Sequence, residues 1–150
     1  MILKNAAAVV EARKALIKTF GSDIPSPVPL LAVCEAHGIE VFEAPFVEVD
    51  AAAVKQNGRY AIIIRSSAIV GRNRFSVAHE IGHVLCRHLE GVGMLENPIA
   101  ERVASVFATE LTMPRLPLCR RRWTPPELAR EYAVSLHAAR IRCEELGCLS

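Results

Sequence analysis

The 150-residue chain has few aromatic residues (5%), no CxxC pair, little net charge (+2) and no long apolar run. Each of these absences excludes a class of protein. The longest uninterrupted apolar stretches, such as Ala6 to Val10, are about five residues, whereas a bilayer span needs roughly 20. Glu11, Arg13 and Lys14 interrupt any secretory core before it reaches useful length. A cytoplasmic protein without a membrane anchor is therefore expected. Without a CxxC pair there is no start to a zinc ribbon. The five cysteines, Cys34, Cys86, Cys119, Cys143 and Cys148, are odd in number and irregularly spaced, so all are expected to remain thiols. What is present, 51% hydrophobic and 23% charged residues over this length, suits one folded domain and excludes a disordered chain.

The charge is unevenly placed. Residues 115–142 carry seven Arg and two Glu, which leaves the rest of the chain acidic on balance. Arg120, Arg121 and Arg122 stand beside Trp123, a run that more often forms a solvated loop than a phosphate site. Leu128 to Ser135, followed by Ala138, Ala139 and Ile141, scans like a helix-turn-helix. A DNA-binding regulator is thus one reading of the C-terminal part.

Hydrophobic spacing predicts an amphipathic helix over 3–20, with Leu3, Ala7, Val10, Ala15 and Leu16 on its apolar face. Gly21 and the prolines at 25, 27 and 29 end it, and a short helix from Leu30 to His37 stops at Gly38. Strands are expected at Ile39–Phe42 and Arg59–Arg65, with a mixed segment between them. Helices follow at about Asn73–His88, Ile99–Thr112, Pro125–Tyr132 and Ser135–Leu146. The class is α+β, mostly helical, with one small sheet and a short C-terminal helical pair. A single domain is expected, in three parts: 1–71, 72–114 and 115–150.

The informative stretch is His79-Glu80-Ile81-Gly82-His83, an HExxH pattern inside a helical segment. Histidines four apart project from adjacent turns of one face, where two neutral imidazoles can chelate a metal. Glu80 falls beside the metal and not on it, placed to take a proton from water. Gly82 within the helix costs about 1 kcal/mol relative to Ala, which makes sense if another backbone must approach closely. A third ligand has to come from elsewhere. His37 and His137 are far along the chain, and on a continuous helix His88 points away. Glu101 is the better choice, because Ala104, Ser105, Ala108 and Thr112 form a small-residue stripe that would pack its helix against Gly82. Ser105 could then hold a ligand imidazole. Glu90, Glu96 and Glu110 are the alternatives, and two histidines with a carboxylate suit zinc, manganese or iron.

These residues resemble the ImmA/IrrE-type zinc metallopeptidases over nearly the whole chain. The resemblance is carried by His37-Gly38-Ile39-Glu40-Val41, by Arg72-Asn73-Arg74-Phe75-Ser76-Val77-Ala78 leading into the HExxH, by Glu101 to Ala108, and by Leu111-Thr112-Met113-Pro114. Val134-Ser135, Ala138-Ala139 and Leu146-Gly147 complete it. It implies a minimal zincin-like domain with one zinc per chain, held by His79, His83 and Glu101, and with Glu80 as catalytic base. It further implies hydrolysis of a peptide bond in a helix-turn-helix repressor guarding a mobile element or stress response. The partner would be that protein, without direct nucleic-acid binding, and the chain would be the peptidase module alone. Three features depart from the family pattern. Val103 stands where relatives usually carry a second Glu, which leaves Glu101 the better candidate. Ser105 replaces the usual Asn, and the Leu-His pair that often follows the motif becomes Cys86-Arg87-His88, out of register. Tyr60, Arg72 and Tyr132 are candidates for an oxyanion donor, and substrate is expected to add a strand near Arg59–Arg65. A metal-dependent binder that displaces the repressor uncut is a third reading.

Overall fold

A computed structural model describes residues 2–45, 48–66, 70–91 and 97–149. The described residues form helices α1 (Ile2–Phe20), α2 (Leu30–Ala36), α3 (Val70–Leu85), α4 (Pro98–Thr112), α5 (Arg115–Leu118), α6 (Pro125–Tyr132) and α7 (Leu136–Leu146). Between α2 and α3 lie strands β1 (Ile39–Ala44), β2 (Ala51–Gln56) and β3 (Arg59–Arg65). The architecture is the expected α+β, zincin-like one, with helices dominating a single small sheet. No helix among the described residues is long and apolar enough to cross a membrane.

α1 forms as its spacing predicts, but its buried face is rotated from the expected one. Ala8, Ala12, Ala15 and Leu16 are buried, while Leu3, Ala7 and Val10 face solvent. The physical reason is size: a stripe of alanines admits a neighbouring helix more closely than Leu3 or Val10 would. This stripe joins a core with Ile62 of β3, Ile81 of α3, and Phe107 and Leu111 of α4.

The sheet runs in the order β1-β3-β2, with β1 parallel and β2 antiparallel to β3. β3 is therefore central, paired on both sides, and cannot accept an added strand. Strand addition near Arg59–Arg65 is thus confined to the neighbouring edge strands β1 and β2 and cannot occur on Arg59–Arg65 itself. β2 is joined to β3 by a two-residue turn at Asn57 (φ 53°) and Gly58 (φ 75°), with Gln56 opposite Arg59. Both turn residues have positive φ, as the tight turns that match strand twist require.

α3 and α4 pack with unusually little between them. A Cβ placed on Gly82 would meet the Ala104 carbonyl oxygen at 3.1 Å, its Cα at 3.2 Å and Phe107 Cδ1 at 3.1 Å. Two of these three atoms are backbone in a packed helix, so they cannot move aside cheaply. Gly82→Ala is accordingly expected to destabilise by ~1–2 kcal/mol, even though alanine gains ~1 kcal/mol in helix propensity. Urea denaturation measures the balance, and a stabilised variant would contradict this tight packing.

The C-terminal helices have a second core, formed by residues including Trp123, Leu128, Tyr132 and Cys143. α6 begins with a reciprocal capping box between Thr124 and Glu127, and α7 with Ser135 accepting from the Ala138 N–H. Much of the basic run is committed to structure. The Arg121 guanidinium lies 3.9 Å from the centre of the Trp123 ring, and Arg122 donates to the carbonyls of Gly147 and Leu149. Arg142 is buried and ties α7 to Glu110 of α4. All five cysteines are free thiols, and burial pushes those of Cys34 and Cys86 up to about 11.

Candidate metal centre

α3 presents His79, Glu80 and His83 with their ligand atoms within 4.8 Å of one another. α4 brings Glu101 to the same point from the facing side. The Glu101 carboxylate lies 3.0 Å from His79 Nε2 through one oxygen and 2.9 Å from His83 Nε2 through the other. The close approach at Gly82 makes this possible, since it sets the first turn of α4 against the middle of α3. Asn97 caps α4 through the Ile99 N–H, and Pro98 begins the helix, so Glu101 stands in its first turn.

Each imidazole is also gripped from behind. Ser105, one turn after Glu101, has its Oγ 3.1 Å from His79 Nδ1. His83 Nδ1 lies 2.9 Å from His88 Nδ1, a contact between two buried rings. Here the structure corrects the sequence reading. α3 does not continue to His88; it ends at Leu85, and Arg87 adopts a positive φ of 64°. The chain turns back, and His88 faces the site instead of pointing away. A histidine one residue out of family register marks such an irregular turn, and periodicity along a straight helix hides it. With a metal on His83 Nε2, the proton of the neutral ring would sit on Nδ1, where His88 can accept it.

A family model described as IrrE N-terminal-like domain, a peptidase family, matches residues 34–144, which hold every residue of this centre. The chain belongs to this family. No curated protein matches it. Among solved structures, a Mycobacterium tuberculosis transcriptional regulator shares the fold at a TM-score of 0.59 and 14% identity. That match covers 96% of this chain and 47% of the regulator, so the chain spans about half its length. At this identity the likeness concerns the fold.

For a member of the IrrE N-terminal-like family, the donor set fits a divalent metal. Two imidazoles and a carboxylate converge, with the imidazole orientations fixed by Ser105 and His88. Burial, with help from His79, lowers the pKa of His83 to about 4, so the ring is neutral near pH 7, as a ligand must be. Burial likewise lowers that of His88.

Glu80 is anchored from the side of the sheet. One of its oxygens accepts the Ala53 N–H of β2 at 2.9 Å, which hangs the carboxylate between α3 and the free sheet edge. Burial raises its pKa to about 7, the Ala53 hydrogen bond opposes the rise, and the Glu101 charge adds to it. A bound cation would draw this value down.

The raised pKa has a measurable consequence in metal-free protein. The folded state holds a proton on Glu80 that the unfolded chain releases near 4.5, so stability falls as pH rises from about 4.5 to about 7. His83 acts in the opposite sense between about 4 and 6.5. Comparison with Glu80→Gln, which keeps an acceptor for Ala53, isolates the first effect. The variant is expected to match wild type near pH 4 and exceed it by ~1–3 kcal/mol at pH 8. Parallel pH profiles in chelator would contradict a buried Glu80 carboxylate.

Other candidate residues are engaged elsewhere. Glu90 binds Lys55 and the Tyr60 hydroxyl, and Glu110 binds Arg142 and Arg13. Tyr132 packs on Trp123 in the C-terminal core. Glu96 and the Arg72 side chain lie outside the described residues.

Proposed function

We propose that the protein is a zinc-dependent endopeptidase that inactivates a helix-turn-helix repressor by hydrolysing one of its peptide bonds. The observation that carries this reading is the division of labour among four side chains. His79 Nε2, His83 Nε2 and both oxygens of Glu101 meet at one point, while Glu80, also on α3, stands beside it with its carboxylate hydrogen-bonded to the edge strand. His79, His83 and Glu101 would hold the metal, and Glu80 is free of that task. A zinc ion held there would supply Lewis-acid polarisation of the scissile carbonyl and would acidify the attacking water.

The chain's own residues supply the rest. Glu80 takes the proton from the attacking water at its carboxylate oxygen and delivers it to the leaving amine. Ala53 N–H holds the carboxylate in place, which sets Glu80 beside the edge strand β2 where an extended peptide could pair through neighbouring backbone groups. Ser105 and His88 keep the imidazoles turned toward the metal. The repressor as substrate is supported by the family resemblance and by a fold neighbour that is itself a transcriptional regulator.

The test is digestion of a repressor encoded beside the gene, and of a mixed peptide library, by zinc-loaded protein, with new termini read by mass spectrometry. Cleavage that a chelator abolishes is expected. Intact library and repressor after prolonged incubation would leave a binding role in place of catalysis.

A further inference from the structure

One cavity, of about 420 Å³, adjoins the metal centre, and its walls continue those of the centre by one helical turn. Phe75 and Ser76 line it and precede His79 and Glu80 by four residues; Thr109 lines it and follows Ser105 by four. Asp50, which also lines it, directly precedes the edge strand that donates to Glu80. The Phe75 ring centre is 6.5 Å from that of His79. A side chain borne by a peptide lying at the metal therefore reaches the cavity without bending its backbone.

The lining says what kind of side chain fits. Most of its polar groups are engaged: Arg142 with Glu110 and the Met113 carbonyl, Glu145 with Arg142, Asp50 with Arg65, Ser135 Oγ with the Ala138 N–H, and Thr109 Oγ1 with the Ser105 carbonyl at 3.0 Å, while His137 adds an exposed imidazole. The larger share of the lining is nonetheless apolar: Phe75 from α3, Met113 after α4, and Val134, Ala138 and Ile141 from the C-terminal segment. Phe75 and Ile141 are 36% and 43% exposed, large apolar surfaces from distant parts of the chain on one hollow. Such exposure is explained by an apolar occupant.

We infer that this cavity receives a large apolar side chain, such as that of Leu, Met or Phe, from the substrate residue flanking the scissile bond. The inference rests on the peptidase reading and adds its specificity. It also gives the C-terminal pair a role: α7 forms the far wall of the substrate site, so the residues that scan as a helix-turn-helix read a peptide side chain.

A series of zinc-loaded digestions tests this, using peptides that vary only at the residues flanking the cut. Wild type is expected to favour Leu, Met or Phe over Ala at one flanking position by about tenfold or more in kcat/KM. Ile141→Trp, which fills a partly exposed position, should shrink that ratio toward one. Ile141→Asp should move the preference toward Lys or Arg, a change that general loss of fold cannot produce. Cleavage with no side-chain preference, or with a preference that both variants leave unaltered, overturns the cavity and spares the peptidase reading. Failure to cleave any peptide overturns both.

Discussion

Glu80→Gln is expected to lower peptide hydrolysis by about 10²–10⁴-fold while metal content stays at the wild-type level. Glutamine matches the size of the native side chain and still offers an oxygen to the Ala53 N–H, so position is preserved. It cannot accept the proton that water must lose, so the chemical step fails. Activity and metal have to be measured on the same preparation, because the donor atoms of Glu80 and the two histidines lie within 4.8 Å. Loss of metal together with activity would make Glu80 a ligand, contrary to the roles assigned above. Unchanged inactivation of the repressor by the variant would favour a protein that displaces its partner uncut.

The second large effect is on stability and lies at the junction of the two cores. Glu110 is 1% exposed and Arg142 6% exposed, with Arg142 Nη2 at 2.5 Å from Glu110 Oε2. Glu110 also accepts the Arg115 N–H at 2.9 Å and meets Arg13 Nε at 3.4 Å, so one carboxylate links α1, α4, α5 and α7. Glu110→Ala leaves the Arg142 charge buried with the Met113 carbonyl and the half-exposed Glu145 as partners. A loss of ~3–5 kcal/mol is expected, because removing one member of a buried pair strands the other. In a chain of this length that is a fall in Tm of roughly 10 °C. The double replacement Glu110→Leu with Arg142→Met should recover much of the loss, since no buried charge is then left unpaired and Arg13, which loses its partner, is part-exposed to water. A single variant as stable as wild type would show that water reaches this junction.

Much of this was legible beforehand, for identifiable reasons. HExxH places two histidines on adjacent turns whatever surrounds them, and Gly82 with the Ala104-Ser105-Ala108 stripe announces two helices in close contact. The position of Glu101 follows from that contact. Other features depend on tertiary context. β2 is built largely of alanine, which carries little strand preference, and it forms because β3 pairs with it and α3 covers it. The Asn57-Gly58 pair was its signal, a strong hairpin marker that outweighs the weak strand composition. A helical period assumes a straight helix and so turns His88 away from the site, whereas the left-handed residue at Arg87 turns it back. The buried face of α1 was misjudged for a related reason: periodicity ranks large residues first, whereas a close helix contact selects small ones. The shape of the cavity beside the metal, made by α3, α4 and α7 together, has no trace in any single segment.

The claim on which the rest depends is a metal held by His79, His83 and Glu101. Its most direct test is elemental analysis of wild type, His79→Ala and Glu101→Ala, purified without added metal. The account predicts about one zinc per chain in wild type and little in either variant, as expected when one of three ligands is removed. Zinc at the wild-type level in Glu101→Ala, or none in wild type even after reconstitution, would contradict it.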